Sequence, residues 1–234
     1  MKIFLSAIED YICDEVLARG VQMKYNLLSY YQFRKGGQQL FEKVLRNSEI
    51  MLIDSGAHSF QKGKKVDWLQ YTKEYAEWIK ANDNPKILGY FEMDVDNIIG
   101  YDTVLKLRRI LENVTPKIIP VWHKNRGIAD FKRMCEEHAG RIVAITGFRN
   151  EDIRDEQYPM FLKEAKKHGC KVHCLGMTRK DVLDKVPFDF TDSASWKLQF
   201  QYTRHWNTPK QKELRSQWYM TGQDCSTATT LTTA

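Results

Sequence analysis

The sequence predicts an α/β protein of a single domain, a (β/α)8 TIM barrel, and three observations carry that expectation. Eight short runs rich in β-branched and aromatic residues recur along the 234-residue chain. Most gaps between them place apolar residues three and four apart with charges opposite, the pattern of amphipathic helices that connect parallel strands. A hydrophobic content of 42% is ordinary for a chain of this length with one large core. Alternating strands and helices can form an open doubly wound sheet or close on themselves, and eight units followed by an amphipathic tail favour closure.

In chain order the strand runs are KIFLSAI (2–8), NLLSYY (26–31), IMLIDSG (50–56), ILGYFEMD (87–94), KIIPVWH (117–123), RIVAITG (141–147), KVHCLGM (171–177) and FDFTDSA (188–194). The clearest crossover helices are WLQYTKEYAEWIKA, YDTVLKLRRILENV, IADFKRMCEEHAG and YPMFLKEAKKHG. The first two units are patterned more weakly. Only ten residues separate the last two runs, so the helix between them should be short. The segment WKLQFQYTRHW should supply the eighth helix, making residues 1–206 the barrel and 207–234 a basic segment with a polar, threonine-rich tail.

No apolar run approaches the roughly 18 residues that a membrane span needs, and acidic residues follow the first strand too soon for a signal peptide. The chain reads as soluble and cytoplasmic. Five cysteines, an odd number and widely spread, are unlike a secreted disulfide framework and read as reduced thiols. A net charge of +6 would suit a polyanionic partner where the excess clusters, as at Arg34 and Lys35, at Lys62, Lys64 and Lys65, and at Lys210, Lys212 and Arg215. A solvated surface accounts for the same charge equally well.

Barrel enzymes place their chemistry where strands end and βα loops begin. Here those positions hold Asp54-Ser55-Gly56-Ala57-His58, Glu92-Met93-Asp94-Val95-Asp96, Trp122-His123, Gly147-Phe148-Arg149, Gly176-Met177 and Asp192-Ser193. Glu92, Asp94 and Asp96 would share one face if the strand stays extended through them. Any one of these acids could simply cap a helix, but several converging is harder to explain that way. The core strand IMLI and a tight Ser-Gly turn should hold the Asp54 carboxylate on rigid backbone. Asp189 marks the start of the last strand and Asp192 its exit. His58 and His123 could contact phosphate or tune a carboxylate, and Phe60, Tyr90 and Trp122 could stack on a base, although aromatics in a barrel are more often core.

The segments LIDSGAHSF and FDFTDSASW resemble the "DSGG-F" and nucleophile "D-FDSA-Y" segments of tRNA-guanine transglycosylases, in the same order and with similar spacing. Between them ILGYFEMDVD, RIVAITGFRN and KVHCLGMTRKDVLDKVPFDF resemble the family's base-recognition strand, its glycine-containing pocket strand and its "LGVG-P-D-L" approach to the nucleophile. The resemblance covers roughly residues 48–200 and is nearest to the phage and bacterial proteins that exchange guanine in DNA for 7-deazaguanines. It implies that Asp192 attacks C1′ of a deoxyguanosine and expels guanine, and that a free 7-deazaguanine such as preQ0 then displaces the aspartate. Asp54 would handle protons. Asp94 would recognise the base, with Glu92 and Asp96 as open alternatives. Ser55, Gly56, Gly147, Gly176 and His123 would complete the substrate pocket. The implied partners are DNA and the free base, with a homodimer or a helper protein compatible. The tRNA enzymes carry a zinc site downstream of the nucleophile, but only Cys225 lies beyond Asp192 here. Neither that zinc nor any cofactor is expected, and DNA gains over tRNA as substrate. The cluster His168, Cys170, His173 and Cys174 has ligand chemistry, but strand alternation should point His173 and Cys174 to opposite faces.

Two other readings fit the same acids. In one, Glu92, Asp94, Asp96, Asp54 and His123 hold Mg²⁺ or Zn²⁺ in a barrel phosphodiesterase or nuclease. In the other, the chain is a catalytically inactive base-binding subunit.

Overall fold

The protein is described here by a computed structural model covering residues 1–60, 66–146 and 153–197. The compact body is Met1–Ser193. Most of the expected eighth helix and the whole tail lie outside the described residues, as do Gly147 and Lys62, Lys64 and Lys65.

The body runs β1 (Lys2–Leu5), α1 (Asp10–Ala18), β2 (Tyr25–Ser29), α2 (Tyr30–Phe33), α3 (Gln38–Asn47), β3 (Ile50–Asp54), α4 (Trp68–Asn82), β4 (Ile87–Phe91), α5 (Asp96–Ile99), α6 (Tyr101–Glu112), β5 (Ile118–Ile119), β6 (Val121–Trp122), α7 (Gly127–Glu137), β7 (Ile142–Thr146), α8 (Tyr158–Lys167), β8 (Lys171–Leu175), α9 (Lys180–Leu183) and β9 (Phe190–Ser193). The four helices with the strongest sequence pattern form α4, α6, α7 and α8. The short last crossover yields only the four-residue α9. Among the described residues no helix is long and apolar enough to cross a membrane.

All strand pairs are parallel, in the order β5-β4-β3-β2-β1-β9-β8-β7-β6. The first and last strands lie side by side, Lys2 opposite Phe190 and Phe4 opposite Asp192. The result is a mixed α/β body whose nine-stranded sheet is nearly closed, barrel-shaped and surrounded by helices, a TIM-like arrangement.

The two ends of the sheet are consecutive in the chain. β5 pairs with β4 and β6 with β7, and Pro120 lies between them. Proline has no N–H, so toward β7 Pro120 offers only its carbonyl, which accepts from Ala144 N at 2.9 Å. Past the break, the Val121 N–H donates to Glu92 Oε1 at 2.6 Å, so a side chain substitutes for the missing strand partner. Arg108 of α6 completes this carboxylate, Nε to Oε2 at 2.6 Å and Nη2 to Oε1 at 3.0 Å. Both side chains are buried, at 3% and 0% exposure, where an ion pair survives only if each group is fully matched. Arg108→Met should therefore cost about 3–5 kcal/mol in urea unfolding, because it strands a buried carboxylate, and Arg108→Met combined with Glu92→Gln should recover part of the loss. A cost no larger than that of a surface substitution would remove Glu92 from this role.

Alternation then sets the interior. Phe4, Leu27, Leu52, Phe91, Ile119, Val121, Ile142, Ala144 and Phe190 form one buried cluster inside the sheet. Two residues further along their strands, on the same face, stand Ser6, Ser29, Asp54, His123, Thr146 and Asp192. The rim at the C-terminal strand ends is therefore polar while the layer beneath it is apolar.

Candidate functional site

Asp54 closes β3 in phase with Leu52, and the turn behind it is built to hold its carboxylate. Gly56 has φ +75° and donates its N–H to Asp54 Oδ2 at 2.9 Å. A Cβ on Gly56 would meet Tyr31 Cβ at 2.3 Å and Tyr31 N at 2.8 Å, so glycine is required both for conformation and for space. Ser55 is fully buried, its carbonyl accepting from the Tyr71 hydroxyl at 2.6 Å. Ser55 and Gly56 thus shape the Asp54 turn. Burial drives the Asp54 pKa up to about 6, and the charges of Asp94 and Asp192 add to the rise, against the Gly56 N–H and the His58 charge.

Asp192 lies across the mouth on β9 and its electrostatics are opposite. Its Oδ1 accepts from His173 Nε2 at 3.1 Å and from Gly176 N at 2.9 Å. Burial acts to raise its pKa, but the His173 hydrogen bond, the Gly176 N–H and a Ser6 hydrogen bond together hold it below the usual carboxylate value. Gly176 has φ +64°, a left-handed conformation that aims its N–H at this carboxylate. Asp189 is at the opposite end of the strand, where its Oδ2 accepts from Val172 N at 2.9 Å.

The third group follows β4. Asp94 Oδ1 takes a hydrogen bond from His123 Nε2. Asp96 Oδ1 lies 3.9 Å from the same nitrogen, and its Oδ2 accepts from Arg126 Nε at 3.0 Å. Arg126 in turn stacks 4.0 Å from the Tyr101 ring centre. Burial acts to lower the His123 pKa, but Asp94 and Asp96 outweigh it and raise the net value. Asp96 is held low, its burial overcome by Arg126 and His123. One ligand atom each from Asp94, Asp96 and His123 lie within 4.8 Å of one another, so among the described residues these three could hold a metal ion. The Arg126 guanidinium already supplies a positive charge to Asp96.

Of the residues expected at the mouth, Asp54, Asp94, His123 and Asp192 come together. Glu92 does not join them. Alternation after the interior Phe91 turns Glu92 outward to Arg108, and because β4 ends at Phe91 rather than continuing to Asp94, Asp94 and Asp96 leave that face and reach the mouth through a turn. The shared face of Glu92 with Asp94 and Asp96 needed an extended chain that is absent there. Tyr90 and Trp122 also sit on the outer face, Tyr90 donating to Asp83 Oδ1 at 2.7 Å and Trp122 packed among Phe131 and Phe161. Phe60 packs against Tyr31, Trp68 and Tyr71, with Arg34 5.3 Å from its ring centre. Gly147 lies outside the described residues.

His173 and Cys174 do point to opposite faces, His173 inward against Phe4 and Phe91, and Cys174 into the layer with Tyr158 and Phe188. Cys170 donates its thiol to the Cys135 and His138 carbonyls at 3.3 and 3.2 Å. The sequence raises His173 only as a possible zinc ligand, which alternation argues against, and gives no role to Ser6 or Arg126. The available signal was phase: His173 shares a strand face with Leu175, and Ser6 shares one with Phe4.

Comparison of the chain with family models, with curated proteins and with solved structures returns no match.

Proposed function

We propose that this chain is a base-exchange transglycosylase that replaces guanine in DNA with a 7-deazaguanine such as preQ0, built on a (β/α)8 barrel in which β5 and β6 count as one strand. The observation that carries the reading is the opposite tuning of two carboxylates in one mouth: Asp192 held low, Asp54 raised to about 6. Such a pair separates a nucleophile from a proton carrier.

In this reading an Asp192 carboxylate oxygen bonds to C1′ as the C1′–N9 bond breaks and its electron pair leaves with guanine, which takes a proton from Asp54. Asp54, now ionised, removes the proton from the incoming 7-deazaguanine, whose nitrogen bonds to C1′ and releases Asp192. Two inversions give net retention, as in retaining glycosidases. With Asp94 Oδ1 engaged by His123, Oδ2 is left to accept from the N1–H and exocyclic amine of guanine. The enzyme would need neither metal nor a zinc site after Asp192.

The direct test incubates the protein with guanine-labelled single-stranded DNA, duplex DNA and tRNA, each with preQ0, and counts released guanine. Release from DNA but not tRNA is expected. Release from tRNA alone would overturn the choice of DNA, and release from none would overturn the reaction.

A metal-dependent phosphodiesterase remains a second reading because of the Asp94, Asp96 and His123 cluster. It requires stoichiometric bound metal and metal-dependent phosphodiester cleavage. The transglycosylase reading expects neither in elemental analysis and a nuclease assay. A base-binding subunit without chemistry would bind guanine and capture no DNA.

A further inference from the structure

His173 is completely buried, and among the described residues the one hydrogen-bond partner of its side chain is the carboxylate it faces. Its Nε2 lies 3.1 Å from Asp192 Oδ1, and among the described residues its Nδ1 has no hydrogen-bond partner. The ring is walled by Phe91, edge-on at 5.1 Å between centres, and by Phe4 at 6.2 Å. The protonation state follows from these contacts. A carboxylate accepts, so Nε2 must be the protonated nitrogen. If Nδ1 also carried a proton, an N–H of a charged ring would be buried against aromatic rings with nothing to receive it, which is far costlier than burying a lone pair there.

Resting on the proposed function, we propose that His173 is a positioning residue for Asp192: a neutral imidazole, protonated on Nε2, that fixes Oδ1 and presents Oδ2 to the sugar. Gly176 N and Ser6 assist it, and Oδ1 is taken up by two donors, His173 and Gly176. Neutrality matters on both sides of the reaction. Before attack the hydrogen bond favours the ionised carboxylate. Once Asp192 has become a glycosyl ester its charge is gone, and an imidazolium would then be an uncompensated charge between Phe4 and Phe91. A neutral donor fits both states. The other titratable groups tied to this pair are Asp54 across the mouth and the Cys174 thiol beside it, and the Asp192 charge disfavours the ionisation of both.

Two measurements test this without using the reaction. Nitrogen NMR of the His173 ring at pH 7 should show Nε2 protonated and Nδ1 not. An imidazolium, or the reverse tautomer, would overturn the proposal. Carboxyl-carbon NMR of Asp192 should show its titration moving up by on the order of one pH unit in His173→Phe, which fills the same space, and returning towards wild type in His173→Gln, whose amide can donate from a similar position. An unchanged titration in folded His173→Phe would also overturn it. The third measurement uses the reaction. Adduct formation with DNA at pH 7 should slow about 10- to 100-fold in His173→Phe with KM little changed, and its acid limb should move up. If the NMR results hold while the wild-type protein exchanges no base, the positioning role stands and the proposed reaction fails. If exchange occurs and the NMR results do not hold, the reverse applies.

Discussion

Asp192→Ala and Asp192→Asn are expected to abolish covalent capture of DNA and base exchange together, a loss on the order of 10⁴-fold or more, because neither replacement can form and release the glycosyl ester. A denaturing gel for the protein–DNA adduct reads the first effect and release of labelled guanine the second. The same substitutions should also lower the melting temperature at neutral pH. The folded pKa of Asp192 is depressed, so its ionised form contributes stability that is present above the unfolded value and lost as pH falls through the folded one. Removing the carboxylate forfeits that stability, and alanine in addition leaves the His173 Nε2–H and the Gly176 N–H without their acceptor. If Asp192→Ala still captured DNA and Asp54→Ala did not, the two roles would have to be exchanged.

Asp54→Asn should behave in the opposite way on stability and differently on chemistry. Its amide can still accept from Gly56 N but cannot carry a proton, so exchange should fall about 10²- to 10⁴-fold while base binding survives in part. The folded pKa is raised to about 6 from 3.8, so the protonated form is the one that folding favours. That contribution is fully present below about pH 4 and is lost as pH rises through 6. At pH 8 the wild type therefore bears a charge that the variant lacks. Asp54→Asn should melt higher there, by a free energy of at most about 3 kcal/mol, with the gain shrinking below pH 6 and vanishing near pH 4. In wild-type kcat/KM for DNA, the same carboxyl should set a basic limb near pH 6. A melting gain that ignored pH would mean that the Asp54 environment does not penalise its charge.

Much of this arrangement was legible in the sequence where a period decides. Two-residue alternation in IMLID and FTDS places Asp54 and Asp192 on the interior face beyond Leu52 and Phe190, and three- to four-residue spacing marks α4, α6, α7 and α8. Alternation fails where the strand ends unseen. Nothing in ILGYFEMDVD says that extension stops at Phe91, so that Asp94 and Asp96 turn into the mouth while Glu92, in phase with Tyr90, stays outside with Arg108 and Val121 N, partners distant in sequence. Trp122 and Tyr90 were read by their chemistry rather than their phase, and phase places both outside. The role of His173 was hidden for another reason. Alternation says which face a side chain takes, but a pairing between residues 173 and 192 is fixed only by the parallel register of β8 and β9.

The break at Pro120 has a consequence for how this body meets other molecules. An open sheet ends in two rows of unsatisfied amides and carbonyls to which a strand from another chain can be added, a route both to recognition and to aggregation. Here the two terminal strands are successive halves of one segment, each only two residues long, and the first amide past the break is already occupied by the Glu92 carboxylate. Strand addition therefore has almost no template on this wall.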